Sequence, residues 1–496
     1  MSPTKKMLAT AAVCALVVAA CGSSDDDASS GDGTAATEAP ADADAPAETD
    51  APAETDAPAQ TEAPAEADAP AETEAPAETE APAETEAPAA TGGDAYVLDT
   101  SDCDDDATAQ IEGPLKIGSS VPLSGGPAVL FAPQADGQRA YIDYYNAEFG
   151  GIDGEPIELI TKDDQYTADL TVGNVDELLF DDGVHVLSNL VGTPNNLAIR
   201  DDLNDQCIPQ LWLSSGATDW GEINEFPWTT GLLIAYPIES RVWAEYAVAQ
   251  GAETAALFYV NNEFGQSYAD AFMKDAAEVG LEIVAEEVID AAESGAPSAQ
   301  MTNLVAANPD TILAVPLGAQ CIAFKTELGN AKAANPDFDP LVYETGTCVS
   351  ALFWQSVTNG GADGAHTSIN VINVNDPAAA DDEKVVSYRA AFEASGSSSD
   401  PADAVFQAGW FGMELTVQNA VTAFESGDYS RAGIMTAARN IDTTVDLLRD
   451  GVTLTMNAND GYISEGAQVL QWSDADQGFS DVGEISNLEG SLGVAG

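Results

Sequence analysis

From residue 114 onward the chain repeats one pattern: a short run rich in β-branched and other apolar residues, then a stretch whose apolar positions recur at helical spacing. Strands are predicted at 115–121, 157–161, 184–190 and 208–213, with helices at 134–148, 170–180 and 195–204. A second series has strands at 255–260, 281–288, 311–315 and 341–344 and helices at 263–279, 298–307 and 322–333. Alternation of this kind builds right-handed βαβ units around a parallel sheet. Two series predict an α/β protein of two Rossmann-like lobes with parallel central sheets, in which the carboxyl ends of the strands flank a ligand cleft.

Before residue 93 the pattern vanishes. Between Gly22 and Gly92 there is no lysine, no arginine and almost no large apolar side chain, so this acidic Ala-Pro-rich segment cannot bury a core and is predicted to be disordered. An Ala-Pro pair recurs every six residues from Pro46 to Pro88. Prolines and mutually repelling carboxylates describe a stiff tether that reaches up to roughly 3 Å per residue. A six-residue unit without apolar positions has nothing to stack into a solenoid. Ahead of it, Lys5 and Lys6 precede an apolar stretch from about Met7 to Ala20, too short to span a bilayer. The run Val18-Ala19-Ala20-Cys21 marks residues 1–20 as a lipoprotein signal peptide and Cys21 as the lipid acceptor that opens the 21–93 tether. The competing reading is an ordinary cleaved signal with an incidental cysteine.

The 496-residue chain has a formal net charge of −69, and the part beyond the tether keeps 64 acidic against 13 basic side chains. A surface of that sign repels nucleic acid and anionic membrane, which excludes nucleic acid as a partner. It suits a secreted protein at high ionic strength, where screening weakens self-repulsion, or one that recruits a cationic substrate. Of six cysteines, Cys14 leaves with the signal and Cys21 carries lipid; the remaining four can be oxidised outside the cytoplasm in three pairings. Cys321 and Cys348 each follow a predicted strand in consecutive strand-helix units, which favours a bond between them and leaves Cys103 with Cys207. With no closely spaced cysteine pair and only His185 and His366, no metal site is expected.

Candidate chemistry sits in the loops at the strand ends. After the first strand comes Pro122-Leu123-Ser124-Gly125-Gly126-Pro127; after the third, Gly192-Thr193-Pro194-Asn195-Asn196; after the fourth, Ser214-Ser215-Gly216-Ala217-Thr218-Asp219. Glycines let backbone N–H groups approach a ligand, and small hydroxyl residues at helix N-termini add donors to the positive end of the dipole, so the loops suit a carboxylate or other anion. Each alone is also ordinary helix capping; three on one sheet edge form a constellation. Leu123-Ser124-Gly125-Gly126 spells a transporter ATPase signature, but Pro127 follows and the chain has no phosphate-binding Gly-Lys-Ser/Thr loop. Asp474, Asp476 and Gly478 lack the later glutamate of a calcium loop and read as a hairpin turn. Trp220, Trp228, Tyr236 and Trp354 read as core or hinge packing, and Asp102, Asp104, Asp105 and Asp106 as the solvated end of the tether.

The chain resembles the branched-chain amino acid and amide solute-binding proteins of ABC transporters, the leucine-binding-protein-like family with a type I periplasmic-binding-protein fold. The resemblance covers nearly all of 114–490. It is carried by Lys116-Ile117-Gly118 with Pro122-Leu123-Ser124-Gly125, by Gly150-Gly151-Ile152-Asp153-Gly154 leading to a strand that ends in Asp163-Asp164-Gln165, and by the 214–218 loop. It continues through 261–265, Ala408-Gly409-Trp410-Phe411 and a closing strand-turn-strand at 461–472. It implies a three-crossing hinge, with 114–235 plus about 366–455 as the N-terminal lobe and about 236–365 plus 456–490 as the C-terminal lobe. The implied ligand contacts are Ser124, Gly125, Gly192, Thr193, Ser214, Ser215, Gly216 and Thr218, a carboxylate lying between the Thr193 loop and the 214–218 loop. Thr218 matches the family's threonine. Phe264 falls where relatives carry an aromatic cover, keeping the ring without a hydroxyl. Gln320 follows Gly318 and Ala319 in a loop that is bulkier in many relatives, which enlarges the pocket. The residue facing an α-amino group is Glu344, or Thr345 if the alignment shifts by one.

The implied protein is a monomeric, extracytoplasmic receptor, lipid-anchored to the cell membrane and needing no cofactor. It captures a small polar solute (a branched-chain or other amino acid, an amide or a urea-like molecule) by hinge closure and delivers it to ABC permease subunits. Two other classes compete: a ligand-sensing module for a membrane signalling partner, and an extracellular hydrolase, which would need a nucleophile with a histidine base or a metal.

Overall fold

The computed structural model describes residues 93–376 and 379–495; the signal segment, Cys21 and the rest of the tether lie outside the described residues. The first sheet contains β1 (Lys116–Val121), β2 (Glu158–Asp163), β3 (Val186–Ser188), β4 (Gln210–Leu213) and β5 (Thr229–Gly231), all parallel, in the order β2-β1-β3-β4-β5. Helices α1 (Ala128–Phe149), α2 (Ala168–Phe180) and α3 (Thr193–Asp205) connect its strands. With both faces covered, the central strands are buried along nearly their whole length, which is why they read as continuous apolar runs.

Helix α1 begins six residues before the predicted start, because Pro133 lies inside it rather than at its boundary. The bond that Pro133 cannot donate would go to the Val129 carbonyl, on a residue half exposed to water. The three-residue β5 was not anticipated from the pattern. It is held partly from outside: Arg439, fully buried, donates to the carbonyls of Phe226, Pro227 and Thr229.

The chain then builds a second sheet from β6 (Thr254–Val260), β7 (Glu282–Ile289), β8 (Thr311–Val315), β9 (Leu341–Glu344) and β10 (His366–Ile369). Helix α4 (Tyr236–Ala249) leads in from the first sheet, and these strands are joined through α5 (Glu263–Val279), α6 (Ser298–Ala307), α7 (Ala319–Ala334) and α8 (Ala351–Gln355). Helices α9 (Glu383–Ser395), α10 (Ala404–Ser426) and α11 (Arg431–Arg439) return to the first sheet, with the small ribbon β11 (Asp442–Thr443) and β12 (Leu454–Thr455). Finally β13 (Gly466–Ser473), β14 (Gly478–Asp481) and β15 (Ser486–Asn487) complete the second sheet in the order β14-β13-β10-β9-β8-β6-β7, with β15 beside β13.

Two expectations change here. The second sheet is mixed rather than parallel, because β13 runs antiparallel to β10 and to β14. A hairpin needs only the short turn at 474–477, whereas a parallel neighbour would need another helical crossover. The boundary expected near 366 moves as well: β10 pairs with β9 and β13, so the chain leaves the second sheet only after Ile369.

Helices α1 and α10 pack backbone to backbone over the first sheet. A Cβ on Gly137 would lie 2.0 Å from the Phe406 carbonyl oxygen, and one on Gly409 would lie 2.1 Å from that of Gln134. Beneath them Gln134 and Gln138 both donate to Asn189, whose own amide donates to the Trp212 carbonyl at 3.1 Å, so the buried amides are mutually bonded. The N-terminal segment runs along the same half. Asp94 accepts from the Ala458 N–H at 3.0 Å, the Tyr96 hydroxyl donates to the Ile223 carbonyl at 2.9 Å, and Ile111 donates to the Tyr429 carbonyl at 2.7 Å.

Both favoured disulfides are present, Cys103–Cys207 and Cys321–Cys348. The first closes a separation of 104 residues and staples the N-terminal segment to the first sheet. Cross-linking so long a loop removes unfolded-state entropy worth about 4 to 5 kcal/mol. Replacing Cys103 and Cys207 together by serine is expected to lower the urea midpoint by the equivalent of about 3 to 5 kcal/mol, with the secondary structure by circular dichroism retained.

Candidate functional site

The two sheets meet where loops from both sides press on the first crossing. A Cβ on Gly216 would lie 2.2 Å from the Ile234 carbonyl oxygen and 2.8 Å from the Tyr236 ring, and the Tyr236 N–H donates to the Gly216 carbonyl at 2.8 Å. Only glycine fits, so the loop after β4 lies directly against the start of α4. There Ser215 becomes a polar junction: its hydroxyl lies 2.8 Å from that of Thr193, accepts from Trp220 Nε1 at 2.9 Å and faces the Tyr236 hydroxyl at 3.5 Å. Burial pushes the Tyr236 phenol up to about 12, so it stays a neutral donor.

From Tyr236 the wall continues through stacked aromatics into the second sheet. The Tyr236 and Tyr268 rings stack at 4.0 Å between centroids, with Phe264 edge-on to both at 5.6 and 5.7 Å. The Tyr268 hydroxyl donates to Glu239 Oε1 at 2.9 Å; Glu239 Oε2 accepts from the Tyr343 hydroxyl and, at 2.9 Å, from the Gly346 N–H. Glu239 is buried, and that burial raises its carboxyl above the ordinary value against the lowering effect of these donors.

These groups surround a cavity that opens to solvent. The first half contributes Phe131, Gln134, Tyr166, Thr193, Ser214, Val405 and Phe411; the second contributes Tyr236, Glu239, Phe264, Leu317, Thr347 and Ser368; the crossings supply 232–234 and 369–371. Its walls are mostly aliphatic and aromatic. Among the described residues Glu239 is the only acidic or basic side chain lining it.

The family model for periplasmic binding proteins matches residues 114–477. The chain belongs to that family. Its members are extracytoplasmic solute-binding proteins rather than enzymes. The fold is shared with a fatty acid ABC transporter substrate-binding protein from Thermomonospora curvata (TM-score 0.65, 16% identity, covering 77% of this chain and 96% of that one). It is shared also with a possible leucine/isoleucine/valine-binding protein from Rhodopirellula baltica SH 1 (TM-score 0.61, 20% identity, covering 76% and 97%). A third similar structure is a solute-binding protein of an ABC transporter from Rhodopseudomonas palustris HaA2 in complex with p-hydroxybenzoic acid (TM-score 0.64, 16% identity, covering 75% and 97%). No curated protein matches the sequence. No helix among the described residues is long and apolar enough to cross a membrane.

Of the residues expected at a periplasmic-binding-protein cleft, Gly192, Thr193, Ser214 and Phe264 line the cavity. Ser215 and Gly216 stand directly behind it as the junction described above. The others lie elsewhere. Ser124 is exposed and its hydroxyl donates to Asp163 at 2.5 Å, while Gly125 sits in the same exposed turn, whose Pro127 approaches Gly318 across the rim. Thr218 is exposed at the start of a 3-10 turn, and only its carbonyl is engaged, by the Tyr462 hydroxyl at 2.7 Å. Gln320 is spent on tying loops together, donating to the carbonyls of Asp290 and Glu293 in the loop after β7 and accepting from the Leu317 N–H. Thr345 donates to the Tyr268 hydroxyl at 2.7 Å and lies one step behind the lining.

Glu344 is also turned away. It forms a fully buried ion pair with Lys325, whose ammonium lies 4.4 Å from the Trp354 ring centroid. Burial raises the Glu344 carboxyl to about 7 and lowers the Lys325 ammonium, each toward neutrality, while their contact opposes both shifts. The acid that does reach the cavity is Glu239, which sequence reasoning missed. Its signal was there: Tyr236, Glu239 and Trp243 share one buried face of α4, and an acid at a core position of a helix is out of place unless it is used. Neither histidine lines the cavity. Burial lowers both to about 4; His185 accepts from the Lys116 N–H, and His366 packs against Trp243.

Removing one member of the Lys325–Glu344 pair strands a buried charge, at a cost of about 3 to 5 kcal/mol. Lys325→Met is expected to lower stability by that amount in urea denaturation, and the double variant Lys325→Met/Glu344→Leu to recover most of it; equal losses in both would assign the effect to packing.

Proposed function

We propose that this periplasmic binding protein is the solute receptor of an ABC importer and that its solute is an amino acid with an apolar or aromatic side chain. The observation that carries this reading is the combination of an apolar cavity with one buried carboxylate, Glu239, on the second side and hydroxyl groups at the α3 N-terminus on the first. An α-ammonium group supplies the counter-charge that Glu239 lacks, replacing the expected partner Glu344. A carboxylate suits Thr193 and Ser214 at the positive end of α3. The side chain then covers aliphatic and aromatic wall that a urea-sized or simple amide ligand would leave facing water.

Such a ligand touches both halves only when they are shut, so binding shifts the open and closed populations by its differential affinity. The closed form is what the permease subunits receive. In this reading Cys21 carries lipid and the 21–93 segment is the tether that keeps the receptor near its permease. The p-hydroxybenzoate complex of the R. palustris protein and the fatty acid receptor of T. curvata motivate a second reading, an aromatic or aliphatic acid without an amine, for the same apolar walls.

A thermal-shift screen separates the two. Leucine, isoleucine, phenylalanine, 4-methylpentanoate, p-hydroxybenzoate and urea are compared with the full chain; a bound ligand raises the midpoint by mass action. Leucine or phenylalanine is expected to stabilise and 4-methylpentanoate to fail. Glu239→Gln and Thr193→Val should each weaken the amino acid by about 10- to 100-fold, as expected for hydrogen bonds to charged groups, whereas Thr218→Ala leaves affinity unchanged. Stabilisation by 4-methylpentanoate or p-hydroxybenzoate alone would transfer the assignment to the acid class.

A further inference from the structure

The chain does not end at its third passage between the sheets. After β14 it comes back as β15, pairing Ser486 with Ala467 and Asn487 with Gly466, and then runs toward the first sheet. The Asn487 amide donates to the Gly451 carbonyl at 2.9 Å, Gly493 accepts from the Gly461 N–H at 2.9 Å, and the Ala495 N–H donates to the Gly221 carbonyl at 2.9 Å. Leu488 and Leu492 pack against a buried cluster that includes Ile234 and Ala235, at the first crossing, and Tyr462, in the third crossing formed by 456–465 between β12 and β13. A segment rooted in the second sheet thus finishes bonded to the first.

Its fastening is Glu465 on the third crossing. That buried carboxylate accepts from the N–H groups of Gly490 and Leu492, the latter at 2.8 Å, and from the Ser491 hydroxyl at 3.4 Å. From the tail, Glu489 accepts from the Thr455 hydroxyl on β12. Asp460, Glu465 and Glu489 bring carboxylate oxygens within 4.8 Å of one another. Around them stand the Tyr462 N–H on Asp460, the Thr453 and Thr455 hydroxyls on Glu489, and further acids, Asp219 and Glu222, beyond Tyr462. None of the ion pairs among the described residues reaches the three.

We propose that residues 488–495 are a fourth strap across the hinge, latched through Glu465 as acceptor, and that the latch holds only while the neighbouring Asp460 and Glu489 share a proton beside it. Carboxylates this close with no cation beside them cannot all ionise, and they titrate as a unit. Burial raises Asp460 to about 6, Glu465 to about 7 and Glu489 to about 8. These values lie above the roughly 4 of an exposed carboxyl, so the latched state binds more protons than the released one. Its stabilisation is therefore complete below about pH 4 and is lost as pH rises through about 6 to 8. Ionisation then pushes Glu489 off Asp460 and Glu465, and a link that restrains lobe separation opens. This device does not depend on which solute the cleft takes.

Amide hydrogen exchange of the full chain without added ligand tests it. Protection factors of Gly461 and Ala495, corrected for intrinsic rates, are expected to fall about tenfold between about pH 5.5 and about pH 8.5, the change carried by one pKa unit, while those of Leu257 and Leu313 in the second sheet hold. Glu489→Gln removes the acid raised furthest and should shrink the fall to a minor part of its size; Asp460→Asn is the second variant, and Leu257 protection reports that either has folded. Unchanged protection of Gly461 and Ala495 across that range, or the same fall in a folded variant, would overturn the proposal.

Discussion

Everything at the cleft follows from one close contact, the Gly216 backbone against Ile234 and Tyr236. It fixes the loop after β4 on the first turn of α4, and with it the distance between the two sheets at their carboxyl ends. Thr193 and Ser215 are then within reach of Tyr236, Tyr236 stacks on Tyr268, and Tyr268 holds Glu239. A side chain at 216 would push the first crossing away and separate the hydroxyl end of the cavity from its acidic end. A 2.2 Å approach to a carbonyl leaves no room for adjustment by rotamer change.

Most of the architecture was legible because buried strands and amphipathic helices write a periodic signal. What escaped was held by partners remote in sequence. The strand β5 is three residues long and depends on Arg439, more than two hundred residues later. The α1 start was hidden by Pro133, which marks a break only where the carbonyl it strands cannot reach water. At the candidate site, the small-residue loops pointed to the sheet edge where the cavity lies, and Gly192, Thr193, Ser214 and Phe264 line that cavity. Thr218 and Glu344 carry suitable chemistry but do not line the cavity: Thr218 lies in an exposed turn whose carbonyl Tyr462 engages, and Glu344, at the end of β9, is taken by Lys325, a partner that local pattern does not reveal.

Two buried acids at the same sheet edge show how environment divides similar residues. Glu344 is closed off by an ammonium on the neighbouring helix and contributes to packing. Glu239 is surrounded by donors that carry no charge, so it can still accept from a positively charged or hydroxyl-bearing group. In a chain with so large an excess of acids, the informative ones are those that water does not reach.

The attachment of the N-terminal segment has a mechanical consequence. Asp94 is bonded to Ala458, within the passage that joins the two halves, and Tyr96 is fixed to the first half beside it. Under the proposed tethering, a pull from upstream of Asp94 would reach the fold at this passage rather than at the far end of either half, where its lever arm on the opening angle is shortest.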